Sequence, residues 1–291
     1  MPTIRFARLK FERKLSHYTD KRDAIERRKE LLLNVIDFDV DLNSLLKQTD
    51  SHAKTRKGDW YFGDVSAEDN IISARLGKAK KKTDHLPDDE VEGFVELERE
   101  DAEIAFFVID LESSVMAYEY VGNIGKKAPY RILRDTFNSY YQGEEEISIS
   151  PLVDKQEVRK ELEDLSYISE VTFRNLTPTN PDHTPTSKPM DDFLEDTRIS
   201  RLHLRGVSDQ RRNEPEGINL EDSVLLDGGL NLAEEGYGSA TIEGKTREGD
   251  EKVVETGDIP IETEAELGPQ DSVNRKRLIE SIREALDELD E

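Results

Sequence analysis

The chain has 291 residues and a formal net charge of -24 at pH 7, with 36% charged and 35% hydrophobic residues. Its 65 acidic against 41 basic side chains predict a mostly negative surface, which repels nucleic acid and anionic lipid. Such a surface is typical of proteins from a high-salt cytoplasm and also of ordinary acidic proteins. There is no cysteine, which excludes disulfides, thiolate-bound zinc and cysteine nucleophiles. Because no apolar run approaches the roughly 18 residues of a membrane span and the N-terminus lacks a signal-peptide core, we expect a cytoplasmic protein without a membrane partner.

The first part of the chain has the pattern of a strand, a helix and a meander. Residues 4–11 alternate apolar and basic side chains and predict a strand. Residues 20–34 have helical spacing, with Asp20 as candidate N-cap. Residues 59–122 contain short alternating runs, which predict four or five consecutive antiparallel strands. Inside this meander, we place a tight acidic turn at Glu100-Asp101.

The rest of the chain mixes helices and strands, which predicts an α+β fold. An antiparallel meander carries helices on one face, and the chain ends in a helix. Asp154 and Ser272 are the candidate N-caps of two of these helices. The predicted elements are helices at 128–141, 154–168, 190–206, 220–236 and 271–291, strands at 145–153 and 170–178, and a hairpin at 236–257. A strand from Ile199 is the alternative for the end of the third helix, and Gly228-Gly229 is a candidate division of the fourth.

The predicted organisation has three parts. Residues 1–176 form an α+β sheet region, residues 177–189 a Pro-rich loop, and residues 190–291 a helical and hairpin region that ends in a helix. One continuous domain is the alternative interpretation of this pattern. The apolar residues predicted to be buried on the central sheet are Ile104, Phe106, Val108, Val171 and Phe173.

Basic residues are concentrated in the first third of the chain. Residues 70–82 hold five bases and no acid, whereas residues 207–291 hold 24 acids and 9 bases. One interpretation is a solvated strand end that serves solubility or internal pairing. The other is a phosphate-backbone site, in which bases displace counterions and an aromatic from Trp60-Tyr61-Phe62 stacks on an unpaired base. The candidate nucleic-acid-binding residues are Lys54, Arg56, Lys57, Trp60, Arg75, Lys78, Lys80, Lys81 and Lys82.

One short motif is compatible with metal-dependent chemistry. A nuclease of the restriction type uses an acid followed by a Glu-x-Lys pair on the next strand, and its acids hold a divalent cation such as Mg²⁺. Glu243-Gly-Lys245, with Asp227 or Asp222 upstream, fits this order, although the pair equally fits an exposed cross-strand ion pair. The five histidines are scattered and lack metal-site spacing, and no glycine-rich phosphate loop is present. Outside the nuclease alternative, we expect no cofactor.

Four segments carry a family resemblance: DWYFGDVSAEDNIISARLGK, FFVIDLESSVMAYEYV, ISPLVDKQEVRKELEDLSYISEVTFRNLTPTNPD and GYGSATIEGKTREGDEKVVETGDIP. In their order they resemble an uncharacterised defence-island family of bacteria and archaea, and more distantly the RexA-like phage-exclusion proteins and the KwaB-like defence subunits. The resemblance implies an α+β protein that senses phage infection or engages DNA beside a partner protein. It transfers no functional residue to this sequence.

The leading hypothesis is a non-enzymatic sensor or binding component of an antiviral-defence or mobile-element system. Its basic N-terminal third would contact nucleic acid or a protein partner encoded nearby, and a homo-oligomer is compatible with this role. One alternative is a metal-dependent nuclease that uses Glu243 and Lys245. The other is an acidic protein-interaction module, whose negative C-terminal third competes with nucleic acid for a basic partner.

Overall fold

The three-dimensional structure is a computed structural model. It describes residues 1–12, 21–37, 39–47, 59–88, 93–180, 188–208, 217–221 and 223–290, with the backbone alone at 21, 80–88, 93–100 and 290.

These residues form an α+β fold with antiparallel sheets and a C-terminal helix, as the sequence predicts, but the strands form two sheets instead of one. The helices are α1 (Lys21–Ile36), α2 (Leu42–Lys47), α3 (Ala128–Tyr141), α4 (Lys155–Glu163), α5 (Lys188–Asp196), α6 (Val224–Glu234) and α7 (Asp271–Asp290). The strands are β1 (Thr3–Phe11), β2 (Asp59–Glu68), β3 (Ile71–Asp88), β4 (Gly93–Asp110), β5 (Val115–Glu119), β6 (Ile147–Pro151), β7 (Leu165–Leu176), β8 (Leu202–Val207), β9 (Ser239–Thr246), β10 (Glu251–Glu255) and β11 (Glu262–Glu264).

The first sheet has the strand order β11-β1-β5-β4-β3-β2, and β6 also pairs with β1. Side chains alternate along each strand, so each face of the sheet carries its own set of apolar residues. One face, which includes Leu9 and Phe107, packs against α1, α2 and α3. The other face, which includes Phe6 and Phe106, packs against α7. Helices therefore cover this sheet on both sides, so the prediction of helices on one face only is wrong.

The second sheet has the strand order β10-β9-β7-β8. Its buried face carries Phe173 and Ile242, which form a core with residues of α5 and α6. The sequence suggested that Gly228-Gly229 divides α6, but the helix runs unbroken through both glycines. A Cβ atom on Gly229 would lie 3.2 Å from the ring of Phe173, so glycine here permits close packing of the helix on the sheet.

Several predicted boundaries are wrong. The helix predicted at 154–168 ends at Glu163, and the helix predicted at 190–206 is α5 followed by strand β8. Glu100-Asp101 is not a turn, because β4 is one strand that pairs with β3 along its whole length. The register sets Lys80 opposite Asp101 and Lys81 opposite Glu100, so the acidic pair belongs to a cross-strand charge ladder. The boundary at residue 176 also does not separate two folding units. β7 belongs to the second sheet, while β11 and α7 return to the first.

Most of the predicted core is confirmed. Phe106 and Val108 are buried under α7, and Val171 and Phe173 are buried in the second sheet. Ile104 is 45% exposed, so its predicted burial is wrong. α7 covers the sheet only as far as the neighbouring row, which contains Phe106.

The helix caps have different outcomes. Asp154 is the N-cap of α4, as predicted, and accepts a 2.9 Å hydrogen bond from the N–H of Glu157. Ser272 lies inside α7, which already begins at Asp271. Asp20 and residues 181–187 of the predicted Pro-rich loop lie outside the described residues.

Candidate functional site

The basic residues of β1 are buried and serve the fold. Arg5, Arg8 and Lys10 are all less than one-tenth exposed. Arg5 pairs with the carboxylate of Glu262, Arg8 Nε donates to the carbonyl of Glu235 at 2.7 Å, and Lys10 Nζ donates to the carbonyl of Thr179 at 2.5 Å. A buried cation that is already hydrogen-bonded cannot displace counterions from a phosphate backbone. This part of the cationic N-terminal third therefore ties distant segments together.

Arg75 and Lys78 lie on opposite faces of the first sheet. On the α7 face, the Arg75 guanidinium lies 2.6 Å from a carboxylate oxygen of Asp271 and 3.5 Å from one of Asp64. The hydrogen bond from Arg75 to Asp271 raises the pKa of the guanidinium further. Lys78 Nζ lies on the other face, 5.3 Å from the ring centroid of Trp60. The two cations therefore do not form one patch.

The remaining candidates of the basic strip are placed only in part. Lys80, Lys81 and Lys82 are on β3, where the backbone register sets Asp101, Glu100 and Arg99 opposite them in that order. Lys54, Arg56 and Lys57 lie outside the described residues. A nucleic-acid contact through these six residues stays a prediction.

The structure separates the three neighbouring aromatics of β2. Trp60 and Phe62 are each only 1% exposed, in the core beneath α1–α3. Tyr61 points to the opposite face and is 44% exposed. Trp60 is therefore buried away from any base, and Tyr61 is the ring that solvent reaches. The alternation of side chains along a strand is the sequence signal that distinguishes these positions.

An uncovered apolar area surrounds Tyr61. The register places Tyr61 opposite Gly77, and Gly77 opposite Ile104, so these residues form a row across β2, β3 and β4. The next row contains Ala79 and Ala102. We call Tyr61, Gly77, Ala79, Ala102 and Ile104 the open patch. Its floor is flat, since only Tyr61 and Ile104 carry large side chains.

The position of α7 explains why the open patch is uncovered. Phe106 and Arg75 form the adjacent row on the same face. Phe106 packs in the α7 core, and Arg75 is bound by Asp271, the first residue of α7. The helix therefore begins at this row and extends away from Tyr61 and Ile104, which stay exposed.

Carboxylates border the open patch on two sides. Asp59 lies directly opposite Ala79, on the face of the patch, and is exposed, whereas Asp101 and Glu103, the sequence neighbours of Ala102, point to the other face of the sheet. Glu119 lies near the row of Phe106, where its carboxylate accepts the Phe106 N–H at 3.4 Å. Burial raises the pKa of Glu119, whereas this hydrogen bond and the charge of Arg75 lower it. The patch is therefore apolar at its centre and acidic at its rim.

The candidate nuclease residues do not come together. Glu243 and Lys245 are exposed on β9, on the face of the second sheet opposite to Ile242. Asp227 is on α6, which packs on the Ile242 side through Gly229. Asp222 lies outside the described residues. The sheet therefore separates Asp227 from the Glu-x-Lys pair.

The neighbours of these residues are engaged in ion pairs. Glu170 lies opposite Glu243 in the register. The guanidinium of Arg205 donates two hydrogen bonds, of 2.6 and 2.7 Å, to the carboxylate of Glu170. This Arg205 contact lowers the pKa of Glu170. Among the residues that the structure describes, no group of three or more histidine, aspartate or glutamate side chains is arranged to hold a metal ion. None of the described helices is long and apolar enough to cross a membrane.

The sequence of the chain matches a known protein family. The sequence model of a family described as a domain of unknown function, DUF4747, matches residues 6–283. The chain belongs to this family. The DUF4747 match runs from β1 into α7, so it includes both sheets and the open patch. No curated protein matches the chain.

Proposed function

We propose that this chain is a non-enzymatic sensor or binding component of an antiviral-defence or mobile-element system, and that its open patch binds a protein encoded nearby. The observation that supports the proposal is the exposure of Tyr61 and Ile104 beside Gly77, on a sheet face that α7 leaves uncovered. Exposed aromatic and aliphatic side chains on a flat floor are typical anchors of protein interfaces. The biological setting rests on the resemblance to defence-island proteins.

The charges favour a protein over nucleic acid as the ligand. The open patch has acids at its rim, and the nearby Arg75 is neutralised by Asp271 and Asp64. A phosphate backbone would be repelled by these carboxylates across a Debye length of about 8 Å at physiological salt. An apolar protein surface that carries bases at its edge would be attracted.

The test is co-purification with identified candidates. Each protein encoded by a neighbouring gene is tagged and co-expressed with this chain, either as wild type or as Tyr61→Lys. Val253→Lys is the matched control, because Val253 is also exposed but belongs to the second sheet. We expect one neighbour to retain the wild type and the Val253→Lys variant and to lose the Tyr61→Lys variant. The same variant should lower protection in a phage-plating assay on cells that carry the gene cluster.

Two results would overturn the proposal. Equal retention of all three forms would show that the open patch is not the contact. Retention of an oligonucleotide by the wild type, lost when Lys80, Lys81 and Lys82 are changed to glutamate, would assign the chain a nucleic-acid ligand instead.

A further inference from the structure

The strand at the border of the open patch has a free edge. β4 extends from Gly93 to Asp110, but β5 pairs with it only at residues 107–110. Over residues 93–106, the described part of the chain places no strand on this side of β4. An unpaired strand edge presents a row of N–H and C=O groups, which is a template for another strand.

Two hydrogen bonds fix the direction of the backbone groups on β4. The N–H of Phe106 points to the β5 side, where it meets the Glu119 carboxylate. The N–H of Leu111, five residues on, points to the opposite side and donates to the carbonyl of Asn70 at 2.9 Å. N–H groups alternate between the two edges of a strand, and the β3–β4 register is unbroken. The N–H groups of Ala102 and Ile104 therefore point to the free edge, like that of Phe106.

From this geometry, which extends the proposed function, we infer that the partner of the open patch binds as an extended strand. This strand adds to β4 at residues 102–105, in line with β5 and beside the edge position that Glu119 occupies at Phe106, and accepts hydrogen bonds from the N–H groups of Ala102 and Ile104. On the α7 face, its alternate side chains are apolar and pack beside Ile104. The body of the partner then covers Gly77 and Tyr61. Main-chain pairing supplies affinity in this mode of recognition, and the alternate side chains supply specificity.

Charge complementarity defines the partner further. Asp101 and Glu103 flank Ala102 and point to the face of β4 opposite to the open patch, so carboxylates border the outward side of the docking strand, and Glu119 occupies the edge at Phe106. Lysine or arginine residues at the outward positions of the partner strand would meet these acids, whereas acidic residues would be repelled. The partner segment is therefore an apolar strand with basic alternate positions.

A proline substitution at one residue of β4 tests whether the partner adds as a strand. Ala102→Pro removes an N–H that points away from β3, so the pairing between β3 and β4 is preserved. Ala102→Ser is the matched control, since it keeps the N–H and the size of the side chain. The probe is a labelled synthetic peptide of alternating valine and lysine, with binding followed by fluorescence anisotropy. We expect Ala102→Pro to weaken binding about tenfold relative to Ala102→Ser, the loss expected for one or two main-chain hydrogen bonds.

A second probe does not depend on the folding of a variant. The same peptide, methylated on the backbone nitrogens of one edge, should bind the wild type about tenfold more weakly than the unmethylated form. Equal affinities for both peptides, or for the proline and serine variants, would overturn strand addition. A valine and glutamate peptide that binds as tightly would overturn the basic preference. In each of these cases, loss of a neighbouring protein in Tyr61→Lys would still support the proposed function.

Discussion

The guanidinium of Arg8 lies 5.1 Å from the ring centroid of Tyr237, so a base of the first strand rests on an aromatic ring that precedes β9. Arg8 also donates from Nε to the carbonyl of Glu235 at 2.7 Å. Burial raises the pKa of the Tyr237 hydroxyl, and the charge of Arg8 lowers it. The first sheet and the second are joined through this contact.

Arg8→Met should therefore destabilise the protein, although methionine keeps much of the apolar stem. It removes the charged donor and leaves the Glu235 carbonyl buried without it, at a cost of about 2 kcal/mol. Arg174→Met is the control, because Arg174 is an exposed arginine of β7. Urea denaturation measures the free energy of unfolding of both variants. A free energy of unfolding that falls equally in the two variants would contradict a special role for Arg8.

Two neighbouring positions of β4 should respond differently to truncation. Phe106 is 4% exposed beneath α7, so Phe106→Ala should lower the free energy of unfolding by about 3–5 kcal/mol as a large-to-small core change. Ile104→Ala should change it by less than about 0.5 kcal/mol, because that side chain faces solvent. Thermal unfolding of the two variants side by side measures the difference. Similar melting temperatures would mean that α7 does not cover the row of Phe106.

Changing Lys80, Lys81 and Lys82 to glutamate tests the basic strip. The register sets two acids opposite these lysines, and the net charge of the chain is -24. We expect the wild type to bind single-stranded and duplex oligonucleotides weakly and the triple variant to bind them no worse. Titration at several salt concentrations supplies the measurement. A steep salt dependence that the triple variant reduces would instead show that the lysines neutralise phosphates.

Magnesium or manganese should leave the melting temperature unchanged. The second sheet separates Asp227 from Glu243, and the residues that the structure describes contain no carboxylate cluster arranged to hold the ion. Glu243→Gln should accordingly behave like the wild type, with and without metal, in differential scanning fluorimetry. A metal-dependent rise in the melting temperature that disappears in Glu243→Gln, together with DNA cleavage, would restore the nuclease alternative.

Stability should also depend on pH through Glu234. Its side chain is 1% exposed, and burial raises its pKa above the ordinary value, although Arg159 Nε lies 3.0 Å from a carboxylate oxygen and opposes the shift. A group with a raised folded-state pKa stabilises the protein at low pH, and that contribution is lost as the pH rises through the folded pKa.

The variant Glu234→Gln does not titrate and therefore isolates this effect. Its free energy of unfolding, relative to the wild type, should increase between about pH 4 and pH 7, because only the wild type loses stability as the glutamate ionises. Glu255→Gln, at an exposed position of β10, is the control. A difference between Glu234→Gln and the wild type that is constant across this range would rule out the linkage.

Local patterns were sufficient to predict most individual elements. The alternation in β1 and the apolar stripe of α7 each specify one periodicity, and both elements are confirmed. The turn at Glu100-Asp101 was wrong because charged residues are common in turns, and the lysines that face them across the ladder are 20 residues away in the sequence. Opposite charges on paired strands became visible only once the register was known.

The open patch depends on long-range geometry. The sequence places Tyr61 on a strand, but its exposure is decided by where α7 begins, about 200 residues later. The burial predicted for Ile104 failed for the same reason, since an apolar run does not show which row a distant helix reaches. Alternation places Trp60 and Tyr61 on opposite faces, so the sequence shows that they cannot share one surface, but which of them is buried depends on the helices that cover each face.

The pairing of Arg5 with Glu262 spans 257 residues, and it has a consequence for how the chain is synthesised. β1 leaves the ribosome long before its neighbour β11 and its cover α7. At about 5–20 residues per second, the interval between them is roughly 13–50 s. During this interval, Phe6, Phe106 and Val108 of the nascent sheet are not yet covered by α7. A chaperone that shields apolar surface during translation would therefore raise the yield of this protein more than the yield of a chain whose contacts are local.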